Sequence, residues 1–144
     1  MSFYDTHEKR DVMKLRNHFL LNLVLLILLL SAVTACADSE DVPAQIIERY
    51  HQALVEKDQE RMLNLSCSAW ETMALMELDS FMSVETKLVD LTCQSVSSDD
   101  SSAKVTCEGA ISATYDGEAR EFPLDIQTFL VIQEGGEWRM CGYE

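Results

Sequence analysis

Lys104-Val105-Thr106-Cys107-Glu108-Gly109-Ala110-Ile111-Ser112-Ala113-Thr114 is the stretch whose reading decides the fold. Val105, Cys107, Gly109, Ile111 and Ala113 alternate with Lys104, Thr106, Glu108, Ser112 and Thr114. A period of two places one set on the core side of an extended strand and the other on the solvent side. The pattern repeats on both sides. Upstream, Val89, Leu91 and Cys93 alternate with Asp90, Thr92 and Gln94, and the polar run Ser97 to Ser102 reads as a turn. Downstream, Asp116-Gly117 is a hairpin signal. Phe122, Leu124, Ile126, Thr128, Leu130 and Ile132 then line one face of a long strand, with Pro123 near its start as strand prolines require. Gly135-Gly136 turns the chain into a last strand, Trp138 to Tyr143. This half of the chain reads as an antiparallel meander.

Hairpin register makes the cysteines informative. Centring the first hairpin on Asp100 sets Cys93 opposite Cys107. Centring the second between Asp116 and Gly117 sets Cys107 opposite Ile126, and a two-residue turn at Gly135-Gly136 sets Leu130 opposite Cys141. All three strand cysteines then share a face with Val105, Leu91, Ile126 and Leu130, the face that helices must cover. Four cysteines beyond Cys36 allow three pairings. The register favours a Cys93–Cys107 bridge across one hairpin, which leaves Cys67 for Cys141 and staples helices to sheet.

The helices lie upstream. Pro43 suits a first turn. Ile46, Ile47, Tyr50, Ala53, Leu54 and Lys57 follow helical spacing, with the Lys57 stem able to snorkel. Asp58 can cap a short second helix carrying Met62, Leu63 and Leu65. Ser68-Ala69-Trp70-Glu71 reads as a capping box opening a third. That helix presents Trp70, Met73, Ala74, Met76, Leu78 and Phe81 as a broad apolar surface, either plain core or an adaptable ligand wall.

The segments Ile46 to Asp58 and Glu134 to Tyr143 resemble the opening helix and the closing "glycine turn, Trp, Arg, apolar" strand of the nuclear transport factor 2-like, SnoaL-like or cystatin-like superfamily. The resemblance implies an α+β cone: N-terminal helices packed on a curved antiparallel sheet, with a possible pocket at the open end. The fold hosts isomerases, hydrolases and inert binding modules, so it does not dictate a function.

Ahead of this domain the sequence reads as an export signal, either that of a lipoprotein or an uncleaved signal anchor in which Cys36 is incidental. Phe19 to Ala35 is a 17-residue run without charge, preceded by Lys14 and Arg16. It is short for a membrane span and has signal-peptide proportions. Val33-Thr34-Ala35-Cys36 resembles a bacterial lipobox. That resemblance implies diacylglycerol on the Cys36 sulfur, cleavage after Ala35 and an acylated new N-terminus. Residues 1–12 carry Asp5, Glu8 and Asp11, which fit a basic head poorly, so Met13 is the expected start. Residues 1–35 are then signal peptide, 36–41 the lipidated cysteine and a tether of about 18 Å at most, and 42–144 the cone domain. The expected location is the cell envelope, held to the extracytoplasmic side of a membrane by lipid. Even-numbered cysteines in a small exported domain agree with this.

From Cys36 onward 7 Lys and Arg face 22 Asp and Glu, a net charge of 7 − 22 = −15. Such a surface repels nucleic acid and anionic bilayers. No Cys-x-x-Cys, glycine-rich phosphate loop or Gly-x-Ser-x-Gly elbow occurs, and a lone mature histidine excludes a multi-histidine zinc site. No cofactor, metal or catalytic residue is expected. His51 falls off the apolar stripe and reads as a surface residue. Candidate pocket residues are Tyr50, whose hydroxyl lines a cavity or satisfies a buried carbonyl; Trp70; Met73; and Arg139, a ligand clamp or the partner of an acid such as Glu134. The reading is a non-catalytic binding domain for a small apolar ligand or an envelope protein. The alternatives are a SnoaL-like isomerase or hydrolase, and an accessory domain without a pocket.

Overall fold

A computed structural model describes residues 40–144, in which Asp41–Glu144 form one compact unit. The signal segment, Cys36 and the start of the tether lie outside the described residues. The domain is the expected α+β arrangement. Helices α1 (Val42–Glu56), α2 (Gln59–Asn64) and α3 (Glu71–Phe81) precede strands β1 (Glu85–Ser98), β2 (Ser102–Tyr115), β3 (Glu118–Pro123), β4 (Thr128–Glu134) and β5 (Glu137–Tyr143). The sheet is antiparallel, in the order β1-β2-β4-β5, with β3 beside the far half of β2.

Helix α1 is the pivot of the core. Asp41 caps it by accepting the Ala44 N–H, and Lys57 ends it in the left-handed conformation. It lies against β1, β2, β4 and β5 and both other helices. Its buried arc is therefore wider than one stripe, and His51, expected at the surface, is only 4% exposed. The Lys57 ammonium reaches the Val84 carbonyl at 2.7 Å. Asp58 caps α2 as expected, accepting the Arg61 N–H. The capping box at α3 does not form. Trp70 occupies the cap position and no side chain caps the helix, because Ser68 gives its N–H and hydroxyl to Glu134 across the fold.

Both disulfides are present as the register argument expected, Cys93–Cys107 and Cys67–Cys141. Cys93 and Cys107 are direct partners with Cα atoms 4.1 Å apart, the close spacing of a non-hydrogen-bonded antiparallel pair. In such a pair the Cys93 N–H points away from β2. It donates instead to Glu48 on α1 at 3.0 Å, and two residues on the Ser95 N–H donates to Asp41 at 2.7 Å. Two carboxylates, one capping α1 and one within it, thus occupy donors on the outer edge of β1, an edge otherwise open to pairing with another chain. The β5 edge is covered by Leu65 to Cys67, which exchange backbone bonds with Met140.

On either side of the Cys93–Cys107 pair the register slips by single residues. Asp90 and Leu91 together face Gly109, a bulge in which Asp90 (φ 50°) and Gly109 (φ 100°) both take positive φ. The expected long strand from Phe122 to Ile132 is broken at the same level. Leu124 gives its N–H to the Gly109 carbonyl, and the chain turns out of the sheet before β4 resumes at Thr128. This interruption reverses the alternation. Phe129 and Val131 face the core, whereas Ile126, expected opposite Cys107, is 74% exposed. Val96 on β1 forms a second bulge, and a third at Cys141 on β5 pairs Leu130 with Gly142 rather than Cys141. Extra residues on one strand bend a sheet and raise its twist, and here they curl it around α1.

Candidate functional site

Helix α3 has two unlike faces, and both matter. Trp70 and then Ala74, Glu77, Leu78 and Phe81 follow helical spacing toward the domain, where Ala74 and Leu78 are buried. Glu77 therefore projects among apolar neighbours and requires partners. It accepts the Tyr50 hydroxyl at 2.6 Å, and Tyr50 in turn accepts the Trp70 indole N–H at 3.2 Å. The Tyr143 hydroxyl also donates to Glu77. The result is one chain of donors from an indole through a phenol to a carboxylate, closed from the far side by a second phenol. It links α1, α3 and β5.

Burial pushes the Glu77 carboxyl above its ordinary value, against the hydrogen bonds from Tyr50 and Tyr143, which favour the anion. Burial and the facing carboxylate together push the Tyr50 hydroxyl well above the usual phenol range. Tyr50 thus satisfies neither a backbone carbonyl nor an open cavity wall; its hydroxyl is taken up by Glu77 and Trp70. Next to it, rings meet edge to face in the order Tyr50, His51, Phe129, Tyr143 and Trp70, at centroid spacings of 4.9–6.3 Å. His51 Nδ1 lies 2.9 Å from the Ile47 carbonyl. That contact is a hydrogen bond only if Nδ1 carries the proton, which leaves Nε2 with its lone pair. Burial lowers the His51 pKa to about 4, so the ring is neutral at pH 7.

Of the candidate pocket residues, the structure brings Tyr50 and Trp70 together and separates the others. Arg139 makes its ion pair with Glu137, acts on Glu134 only through its charge, and donates to the Asn64 carbonyl, tying β5 to the end of α2. Met73 is 39% exposed and Met76 59%, so the broad apolar surface expected to pack into the core is split in two. Glu77 had no place in that surface. Its spacing from Trp70 and Ala74 was the available signal, masked by its charge.

The outer face of α3 consists of Thr72, Leu75, Met76, Asp79 and Met82, at i, i+3, i+4, i+7 and i+10. Leu75, Met76 and Met82 are all exposed. With Leu78 and Gln59 at the start of α2 they border an open groove of about 510 Å³. Among the described residues no group of three metal-ligating side chains gathers.

No family model and no curated protein matches this sequence. Similarity appears only at the level of structure. An uncharacterized protein with a cystatin-like fold from Caulobacter vibrioides matches with a TM-score of 0.50 at 14% identity, over 72% of this chain and 85% of that one. A nuclear transport factor 2-like protein with a cystatin-like fold from Novosphingobium aromaticivorans matches with a TM-score of 0.50 at 16% identity, over 87% of each chain. These likenesses carry the fold: helices followed by a curled antiparallel sheet, the cystatin-like cone.

Proposed function

We propose that this chain is a lipid-anchored, extracytoplasmic binding protein whose cone domain holds an envelope protein partner and performs no catalysis. The observation that carries the reading is the exposed face of α3. Leu75, Met76 and Met82 are each more than a third exposed along one face of the helix and its exit. Grouped exposed apolar side chains mark interaction sites, and methionine adapts to varied partners. The inward polar groups Tyr50, Trp70 and Glu77 are committed to one another, which fits a structural lock better than a reacting pair. The anchoring half of the reading rests on the uncharged run Phe19 to Ala35 behind Lys14 and Arg16 and on the Val33-Thr34-Ala35-Cys36 lipobox that closes it.

Mass spectrometry of the membrane fraction tests the anchor. The expected result is a lipid-modified peptide beginning at Cys36; an unmodified chain that retains residues 13–35 would refute it. A photoreactive residue at position 76, introduced in cells, tests the binding face and is expected to cross-link one discrete protein. A second reading has its own observation. A carboxyl with a raised pKa beside a tyrosine hydroxyl is a possible acid–base pair for a SnoaL-like isomerase or hydrolase. Turnover that Glu77→Gln abolishes without loss of folding would favour that reading.

A further inference from the structure

Resting on the binding-protein reading, we infer that the partner presents a cationic amphipathic helix, seated along the outer face of α3. The stripe Thr72, Leu75, Met76, Asp79 and Met82 runs straight along the helix for about 15 Å, the length of roughly three helical turns. A helix lying in such a groove anchors through apolar side chains at i, i+3, i+4 and i+7.

Charge decides what surrounds those anchors. Helix α3 carries Glu71, Glu77 and Asp79 and no Lys or Arg. Glu77 is turned inward, so Asp79 borders the groove and Glu71 precedes its first lining residue on α3, Thr72, both uncompensated within their own helix. Of the cations flanking α2, Lys57 is occupied by the Val84 carbonyl, and Arg61 is paired with Glu56 and Asp58. An apolar floor with an acidic rim, on a domain of strongly negative charge, attracts a basic partner and repels a second copy of this chain.

The test uses the full-length lipidated chain in zwitterionic vesicles. The probe is a labelled synthetic 20-residue helix with leucine on one face and lysine on the other; its counterpart replaces every lysine with glutamate. Fluorescence anisotropy should give at least tenfold tighter binding for the lysine helix. Leu75→Ser with Met76→Ser should weaken that binding at least tenfold, and Asp79→Lys should weaken it while sparing the glutamate helix. These side chains are exposed, so circular dichroism should stay unchanged. Equal binding of the two helices would overturn the inference, as would lysine-helix binding that survives the serine substitutions, which is unspecific attraction to an acidic protein. Labelling of lipid alone by a photoreactive residue at position 76 would also overturn it, because the face would then belong to the bilayer. A cellular cross-link from position 76 to an acidic or uncharged segment overturns the inference but leaves the binding-protein reading intact.

Discussion

His51 shows how one residue departs from its periodicity. It sits one position past Tyr50, outside a single stripe, yet the sheet wraps α1 so far that the ring is enclosed. Its folded pKa of about 4 lies below the ordinary 6.5, so the unfolded chain takes up this proton first. Its contribution is complete above about pH 6.5 and is lost as pH falls toward 4. At about 1.4 kcal/mol per pKa unit, the loss is roughly 3 kcal/mol. Urea unfolding between pH 7 and 4 should therefore fall more steeply for the wild type than for His51→Leu; parallel slopes would disprove the assignment. Gly109 is the other decisive residue. A Cβ there would stand 2.5 Å from the Val89 carbonyl oxygen, at a φ of 100°. Gly109→Ala should destabilise by about 3 kcal/mol or more. Gly117→Ala, at φ 85° but in open space, should cost on the order of 1 kcal/mol. Equal midpoint shifts in denaturant would show that the close approach at Gly109 does not matter.

At the scale of elements, turns were legible and bulges were not. Asp116-Gly117 and Gly135-Gly136 turn where their residue types demand. The first hairpin is centred half a residue past Asp100, pairing Ser98 with Ala103, and Cys93 meets Cys107 because a bulge at Val96 restores the expected register. The slips at Gly109 and Cys141 and the break after Pro123 left only weak marks in the pattern, because each adds a residue that alternation alone cannot foresee. The β4 alternation was consequently assigned to the wrong face. The disulfides hold elements of different separation, and this sets a ranking. Cys67–Cys141 spans 74 residues and Cys93–Cys107 spans 14. Loop-closure entropy assigns them about 4 and about 3 kcal/mol. Replacing Cys67 and Cys141 by alanine should thus lower the denaturation midpoint more than replacing Cys93 and Cys107. The reverse order would mean that the β1–β2 bridge acts mainly in the folded state. Helix α3 was identified as an element, but its inner and outer faces were merged, since methionine and leucine occur on both.

For the whole molecule, local pattern and global packing divide the information. By itself the sequence determined the order of helices and strands, the cone class, the pairing of the cysteines and the candidate export signal. Element order and the facing of the cysteines rest on spacing along the chain, which turns and helical or two-residue periods translate into space, whereas the cone class and the export signal rest on the resemblance of short segments to known families. Only the tertiary structure decided which side of β4 is buried, that His51 is enclosed, that Glu77 joins Tyr50, Trp70 and Tyr143, and that one face of α3 is left bare. Those outcomes depend on how far the bulged sheet curls around α1. That curvature is a sum over distant contacts, and it is written in no single stretch of residues.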